Sequence, residues 1–592
     1  MSFNKTLVGY QGLTLALACF VSLASHASSD GQLLRKKPNI VFLFTDDHAV
    51  QAISSYNKQP LVQTPNIDRI AKEGVRFNKA YVTNSICGPS RATILTGKHS
   101  HKNGYKVNFR DFDGSQNTFP KELQKLGYTT ALIGKWHLGS DPTGFDHWDV
   151  QSKKDRGGQG SYYNPLLRVK TKDGIKERRG VGYNTEIIKN LGKSWLKQQD
   201  KNEPFMLMLQ FKAPHREWEP SPAYFGVHKN LKEPVTLHDQ YEYRGSAASM
   251  QQMTLAKHMM AKDTKLVRPV GMTDDQAALW GRHYEPMIHK FIAQINRGYF
   301  GWFDEQMFID YVIGDVNQYG KSPGQILSDL KTIYGLSFSK IDEYANQAND
   351  SVDRNILFRQ KLVSWKYQRY MEDYLGCISH VDDAVGDVVN YLNELGLAED
   401  TIIVYSSDQG FYLGEHGWYD KRFMYEQSLR TPLLIKWPGV TNGLVSDAIV
   451  SNLDLAETFI DIAGGIVPED MQGRSLVPLL FGQQPKDWRR FHYYQYYQHP
   501  GTHNVYRHYG VTNGREKLIY FEDVKEWEYY DLSLNPEETI NQYYIPENKA
   551  KIERMKEALS ALRDKYEVPA SDPHPKPSIL RKVDFKRRLD PI

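Results

Sequence analysis

Cys87-Gly88-Pro89-Ser90-Arg91, running on into Ala92-Thr93-Ile94-Leu95, puts a thiol, a helix-starting proline and a guanidinium within a few residues. Pro89 suits a first helical turn, where its missing N–H leaves nothing unsatisfied. Residue 87 is therefore expected at a helix N-terminus, where free backbone N–H groups and the dipole attract anions. Arg91, one turn on, can reach back to position 87 and stabilise an anionic oxygen.

A cysteine phosphatase loop needs Arg six positions after its Cys, and position 93 is Thr, so that chemistry is excluded. A second set of groups is acidic. Asp46, Asp47 and Asp408 follow two apolar runs, and three carboxylates crowded into one site resist ionisation without a cation. A hard divalent ion with oxygen ligands answers this, and calcium tolerates irregular carboxylate and amide sets better than magnesium. Gln409 can add an amide oxygen. Taken alone, Asp46-Asp47 also reads as a turn or helix cap.

These groups need a frame. Pro38–Phe44, Thr129–Ile133, Phe205–Phe211 and Thr401–Tyr405 are apolar runs of strand length, and each leads into polar residues: Asp46 and Asp47, Lys135 and His137, His215 and Arg216, Asp408 and Gln409. Open α/β sheets place their sites beyond the strands' carboxyl ends, so four such ends converge on one site. Helices are predicted over Asn66–Gly74, Phe119–Leu126, Tyr183–Leu196 and Trp365–Leu395. The fold class is thus α/β, a large mostly parallel sheet between helices. From about 456 to 568 the texture is Tyr-rich and alternating (Lys517–Phe521, Trp527–Asp531) and ends in an amphipathic helix through Ile552, Met555, Leu559, Leu562 and Tyr566. That pattern reads as a smaller antiparallel-sheet subdomain. Residues 225–351, rich in Met and aromatics without a clear strand, read as a helical insertion whose apolar stripes pack over the core or shape a groove or an oligomer contact.

The 592 residues can bury a large core, and 74 basic against 70 acidic side chains give +4, which points to no nucleic-acid partner. The 37 Tyr suit a generous core or sugar-stacking surfaces. Lys5, the apolar run Leu13–Ala24 and Ser25-His26-Ala27 read as a signal peptide over 1–27, too short to span a membrane, so the protein is expected to be exported, periplasmic or secreted. A lipoprotein anchor at Cys19 is the alternative, though Ala16 stands where a lipobox has Leu. Loss of Cys19 leaves Cys87 and Cys377; Cys377 fits the apolar stripe of a helix, so Cys87 is left unpaired in an oxidising compartment. The tail, 569–592, is basic and reads as a solvated terminus.

The Cys87–Arg91 segment resembles the C-x-P-S-R signature of the formylglycine-dependent (type I) sulfatases of the alkaline-phosphatase-like superfamily. The resemblance runs from Pro38 through Tyr530, with a catalytic domain over 38–455. It is carried also by Thr64-Pro65-Asn66-Ile67-Asp68, Gly134-Lys135-Trp136-His137-Leu138-Gly139, Ala213-Pro214-His215-Arg216, Ser407-Asp408-Gln409-Gly410, Gly414-Glu415-His416-Gly417 and Asp420-Lys421-Arg422. It implies that a maturation enzyme oxidises Cys87 to formylglycine (3-oxoalanine), hydrated to a gem-diol. It implies too that Asp46, Asp47, Asp408 and Gln409 hold one calcium ion. Gln409 departs from the Asn or His more common at its place. Arg91, Lys135, His137 and Lys421 would surround the sulfate and the diol, and His215 would protonate the leaving alcohol. The diol would take the sulfuryl group, and its second hydroxyl would expel sulfate.

Gly158–Pro165, Gly182–Thr185, Tyr496–Pro500, His503 and Val505–Gly510 resemble bacterial polysaccharide sulfatases related to the N-acetylglucosamine-6-sulfatases. This implies a sulfated saccharide, ulvan-like or glycosaminoglycan-like. Arg216, His503, Arg507 and His508 are cationic groups able to meet a carboxylate or second sulfate, or to serve structure alone. A phosphodiesterase or phosphonate hydrolase on the same fold, and a carbohydrate-binding pseudoenzyme, are the alternatives.

Overall fold

The computed structural model of the chain describes residues 37–238, 244–301, 304–338 and 351–571. The expected signal peptide, Cys19 and nearly all of the basic tail lie outside the described residues. The strands are, in chain order, β1 (Asn39–Thr45), β2 (Val75–Tyr81), β3 (Thr129–Gly134), β4 (His147–Gln151), β5 (Leu166–Thr171), β6 (Gly174–Arg179), β7 (Phe205–Gln210), β8 (Thr401–Ser407), the short pair β9 (Tyr412–Leu413) and β10 (Tyr419–Asp420), β11 (Leu433–Lys436), β12 (Leu444–Ser451), β13 (His492–Tyr496), β14 (His508–Thr512), β15 (Glu516–Phe521) and β16 (Glu526–Asp531).

Among the described residues one ten-stranded sheet runs β12-β2-β11-β8-β1-β7-β3-β4-β5-β6. Its centre is parallel: β1 pairs with β7 and β8, and β3 with β7 and β4, all in the same sense. Only β5 and β11 run against their neighbours. The apolar runs are continuous because both faces are covered. Along β1, Val41 and Leu43 pack under the helices Pro65–Glu73, Asn184–Leu196 and Ser351–Glu394, while Ile40, Phe42 and Phe44 face the helices Cys87–Thr96, Phe119–Lys125 and Asp454–Ile462.

The antiparallel sheet β13-β14-β15-β16 is separate. One face, through Tyr494, Tyr496, Ile519, Phe521 and Tyr530, packs on Tyr412, Trp418, Phe423 and Tyr425, the stretch that carries Lys421; the other is covered by the helix Lys549–Lys565 through Ile552, Met555 and Leu559. The helix Asp454–Ile462 lies under the main sheet, with Phe459 against Phe42 and Phe119, so the antiparallel layer begins at His492 rather than directly after Leu455. The described part of the insertion holds no named strand and has its own core around Trp280, Tyr284, Phe291 and Phe308. The long helix starts at Ser351, not Trp365, because Phe358 and Leu362 complete that core. Cys377 is a buried free thiol on this helix, its sulfur 3.8 Å from the Tyr183 hydroxyl.

Candidate active site

The ends of β1, β3, β7 and β8 meet the start of the helix Cys87–Thr96. All ten residues of that helix are buried; its N-cap, Ile86, offers no side-chain cap, but Asn108 Oδ1 accepts from Gly88 N at 2.9 Å and Ser90 N donates to Ile86 O, so the helix dipole rather than a row of open N–H groups favours an anion there. Cys87 Sγ, 1% exposed, lies 3.4 Å from Asp46 Oδ1 and 3.9 Å from Gln409 Nε2. Burial pushes the Cys87 thiol up to about 12, so at neutral pH it is a thiol and not a thiolate nucleophile.

Asp46, Asp47, Asp408 and Gln409 are each fully buried. One oxygen from each of the three carboxylates lies within 4.8 Å of the others. Asp47 sits at φ 66°, a conformation Asp tolerates better than most residues, and its N–H donates to Asp408 Oδ1 at 3.1 Å. The Tyr374 hydroxyl fixes the turn, donating to Asp47 O at 2.8 Å and accepting from Ala49 N at 2.9 Å. Burial and the charge of Asp408 push Asp47 up to about 6 against the pull of Lys421. Gln409 Oε1 is buried with no hydrogen-bond partner among the described residues. A cluster of buried carboxylate oxygens with an orphaned amide oxygen is an all-oxygen donor set, and it fits a hard divalent cation.

Cations ring the thiol. Arg91 donates from Nε and Nη2 to Asp408 Oδ2 at 3.1 and 3.0 Å, and from Nη1 to Lys135 O at 2.9 Å and to Gln210 Oε1. Lys135 pairs with Asp46 and donates to Gln159 Oε1. Lys421 Nζ spans both oxygens of Asp47 at 2.6 and 2.7 Å, and that attraction overcomes the burial penalty to hold its pKa above the ordinary lysine range. His215 Nδ1 is 2.5 Å from Arg216 O, which can only accept, so Nδ1 carries a proton and Nε2, 3.7 Å from Asp47 Oδ2, faces the site. Ligand atoms of His215, Asp46 and Cys87 also fall within 4.8 Å of one another. Burial and the neighbouring lysines hold His137 and His215 well below the usual histidine range, hence neutral.

Thus Asp46, Asp47, Cys87, Arg91, Lys135, His137, His215, Asp408, Gln409 and Lys421 are brought together. The four cationic residues considered for substrate contact divide. His503 Nε2 lies 3.2 Å from Asp420 Oδ2, beside Lys421. Arg216 is clamped on both oxygens of Asp263 at 2.7 and 2.5 Å and stacks over Tyr419. Arg507 is held by Asp523, and His508, fully buried, is boxed by Phe423, Tyr494, Tyr496 and Phe521 with Nδ1 2.7 Å from Tyr506 O. His503 Nδ1 lies 2.7 Å from Gln252 O as well, so all four have structural partners within the chain, and only His503 also borders Lys421.

Sequence reasoning passed over Gln210 and Gln159. Gln210 could have been flagged as the polar residue that closes an apolar strand; Gln159 carries no local signal. Asp420 and Arg422, joined at 3.0 Å, also flank Lys421. Asp47, His137, Asp420, Arg422 and His503 all adopt positive φ, which marks the rim as a set of tightly bent loops.

The chain matches the family model described as Sulfatase over residues 38–466 and that of N-sulphoglucosamine sulphohydrolase, C-terminal, over residues 414–565. It is 42% identical to the N-acetylglucosamine-6-O-sulfatase of Bacteroides thetaiotaomicron over 583 residues, 98% of this chain and 94% of the relative. It is 26% identical to the Homo sapiens N-acetylglucosamine-6-sulfatase over 477 residues, 77% of this chain and 66% of that one. A solved protein in complex with its substrate, D-glucosamine-2-N,6-O-disulfate, has the same fold with a TM-score of 0.73 at 40% identity, covering 91% of this chain and 99% of that one. With the family model spanning most of the chain and near-full-length likeness in sequence and fold, the chain belongs to the sulfatases, hydrolases of sulfuric esters.

Proposed function

We propose that the chain removes the 6-O-sulfate of glucosamine units in glycosaminoglycan-type saccharides, acting outside the cytoplasm after export. The observation that carries this is Cys87 at a buried helix N-terminus, 3.4 Å from Asp46 and ringed by Arg91, Lys135 and Lys421, in a chain 42% identical over 98% of its length to an N-acetylglucosamine-6-O-sulfatase. The algal, ulvan-like substrate is set aside, since the relatives at 42% and 40% identity are named for, or solved with, a glucosamine sulfate.

The Cys87 sulfur stands where the oxygens of a formylglycine would lie; that group, formed by a maturation enzyme, supplies a hydrated aldehyde as nucleophile and as the means of releasing sulfate. Asp46, Asp47, Asp408 and Gln409 would hold one calcium ion, which supplies positive charge against the sulfate. Arg91, Lys135 and Lys421 balance the charge of the sulfate oxygens, and the buried setting strengthens each contact. His215, its Nδ1–H tied to Arg216 O, presents a bare Nε2 toward the site; a proton taken up there from solvent is the one it passes on to the leaving 6-hydroxyl, which returns the ring to its neutral form. Asp420, flanked by Arg422 and His503, suits the hydroxyls of the same sugar. No described helix is long and apolar enough to cross a membrane.

The test is chromatography of products from matured protein given 6-sulfated N-acetylglucosamine, the 2-N,6-O-disulfate and the N-sulfate alone, with Cys87→Ala as blank. The expected result is loss of the 6-O-sulfate only, abolished by a chelator and restored by calcium. Retention of the 6-sulfate, or phosphodiester cleavage faster than that of aryl and sugar sulfates, overturns the reading.

A further inference from the structure

Gln159 makes the contact that joins a lysine and a neutral histidine of the site. Its Oε1 accepts from Lys135 Nζ, and its Nε2 lies 2.9 Å from His137 Nε2. The two ends of an amide are not interchangeable here. Burial pulls the Lys135 pKa down, but its Nζ pairs with the Asp46 carboxylate, and an ammonium in that ion pair can only donate; the amide oxygen must therefore face Lys135, and the NH2 group is turned to the imidazole. A donor meeting His137 Nε2 requires that nitrogen to be bare, and the neutral ring carries its proton on Nδ1. His137 Nδ1 is buried and has no hydrogen-bond partner among the described residues. His137 is held at φ 55°, and Gly158, the residue before Gln159, packs beside it: a Cβ there would stand 3.8 Å from the ring and 3.9 Å from Cα, in ordinary contact.

We propose that Gln159 is a positioning residue that locks the Lys135 ammonium and fixes His137 as its Nδ1–H tautomer, leaving Nδ1–H as the donor offered to the reacting groups. The assignment rests on the sulfatase reading of the site but not on the sugar, so an aryl sulfate serves as substrate as well as a saccharide.

The test compares Gln159→Leu, Gln159→Asn and Gln159→Glu, each matured and checked for the aldehyde at position 87 by mass spectrometry. Leu removes both polar contacts, and Asn, with the same reach as Leu, keeps an amide that is too short to span both partners. Glu keeps the acceptor for Lys135 but has no donor, so His137 must place a proton on Nε2. All three are expected to lower kcat on an aryl sulfate by about 10- to 100-fold with KM changed by less than about threefold, and melting temperatures are expected to stay near wild type. Histidine 15N spectra of the unmatured protein, with His137 assigned by its loss in His137→Asn, should show Nδ1 protonated and Nε2 bare, and Nε2 protonated in Gln159→Glu. Wild-type kcat in Gln159→Leu, or full rescue by Gln159→Glu, overturns the proposal, as does a bare Nδ1 in the wild-type spectrum. Normal aryl sulfate turnover without release of a 6-sulfate would sink the sugar assignment alone and leave this one standing.

Discussion

Arg91 reaches Asp408 from one turn inside the Cys87 helix, with Nε and Nη2 both donating to Oδ2 at 3.1 and 3.0 Å while Nη1 crosses to Lys135 O and Gln210. One guanidinium thereby ties the helix that carries Cys87 to the ends of β8, β3 and β7. Its planar fork is what allows this: the donors are spread over three nitrogens, whereas a lysine ammonium carries its three donors on one atom and does not reach such separated acceptors.

Arg91→Lys should therefore keep the fold and lose roughly a hundredfold in kcat. Arg91→Met, which leaves Asp408 buried against no cation on that side, should cost about 3 kcal/mol in a denaturant melt. Wild-type turnover in Arg91→Lys would show that the fork is not required.

Thiol reactivity gives a second check. In protein made without a maturation enzyme, Cys87 is almost wholly buried and its thiol is raised to about 12 by that burial. Iodoacetamide at about pH 8 should leave the native protein unlabelled, and unfolding should expose both Cys87 and Cys377 to it. Rapid labelling of native Cys87 would contradict the burial on which the site description depends.

Much of this frame was legible in the sequence because a parallel strand buried on both faces writes itself as an unbroken apolar run. Val41 and Ile40 look to opposite layers yet are equally apolar. The polar residues that follow such runs were legible for the same reason: Asp46, Lys135, His215 and Asp408 stand where apolar side chains stop. Partner choice was not legible. Nothing local to Arg216 announces Asp263, and nothing near Arg507 distinguishes a salt bridge with Asp523 from an open cation. The strands β2, β11 and β12 were missed because β2 is half-polar, β11 is short and the first half of β12 is exposed. Gln159 was invisible because its role depends on two side chains brought to it by another strand.

Gly134 shows what a motif glycine does here. It ends β3 at φ 111°, and a Cβ would stand 1.9 Å from Gln210 O, the oxygen that accepts Lys135 N at 2.8 Å. Gly134→Ala must push β3 from β7 just where Lys135 enters the site, with an expected loss of about 3 kcal/mol and most of the activity. Gly127→Ala is the control: its φ of 87° is equally strained for alanine, but a Cβ meets nothing within 4 Å. That variant should lose only about 1–2 kcal/mol and keep full turnover. Equal behaviour of the two would refute the steric argument.

Glu457 sets a pH dependence of stability far from the chemistry. It lies on the helix Asp454–Ile462, accepts from Gly473 N at 2.5 Å through Oε1, and has no hydrogen-bond partner at Oε2. Burial, and then the charge of Asp454, push its pKa up to about 8 from 4.5. A carboxyl raised on folding binds its proton more tightly in the folded state. Its contribution to stability is thus complete below the unfolded value near 4.5 and is lost as pH rises through about 8. Glu457→Gln keeps the shape, can still accept from Gly473 and cannot ionise. The variant should melt close to wild type at about pH 5 and be more stable at about pH 9, by up to the order of 4 kcal/mol. A wild-type-like decline in melting temperature between those two pH values in Glu457→Gln would place the titrating group elsewhere.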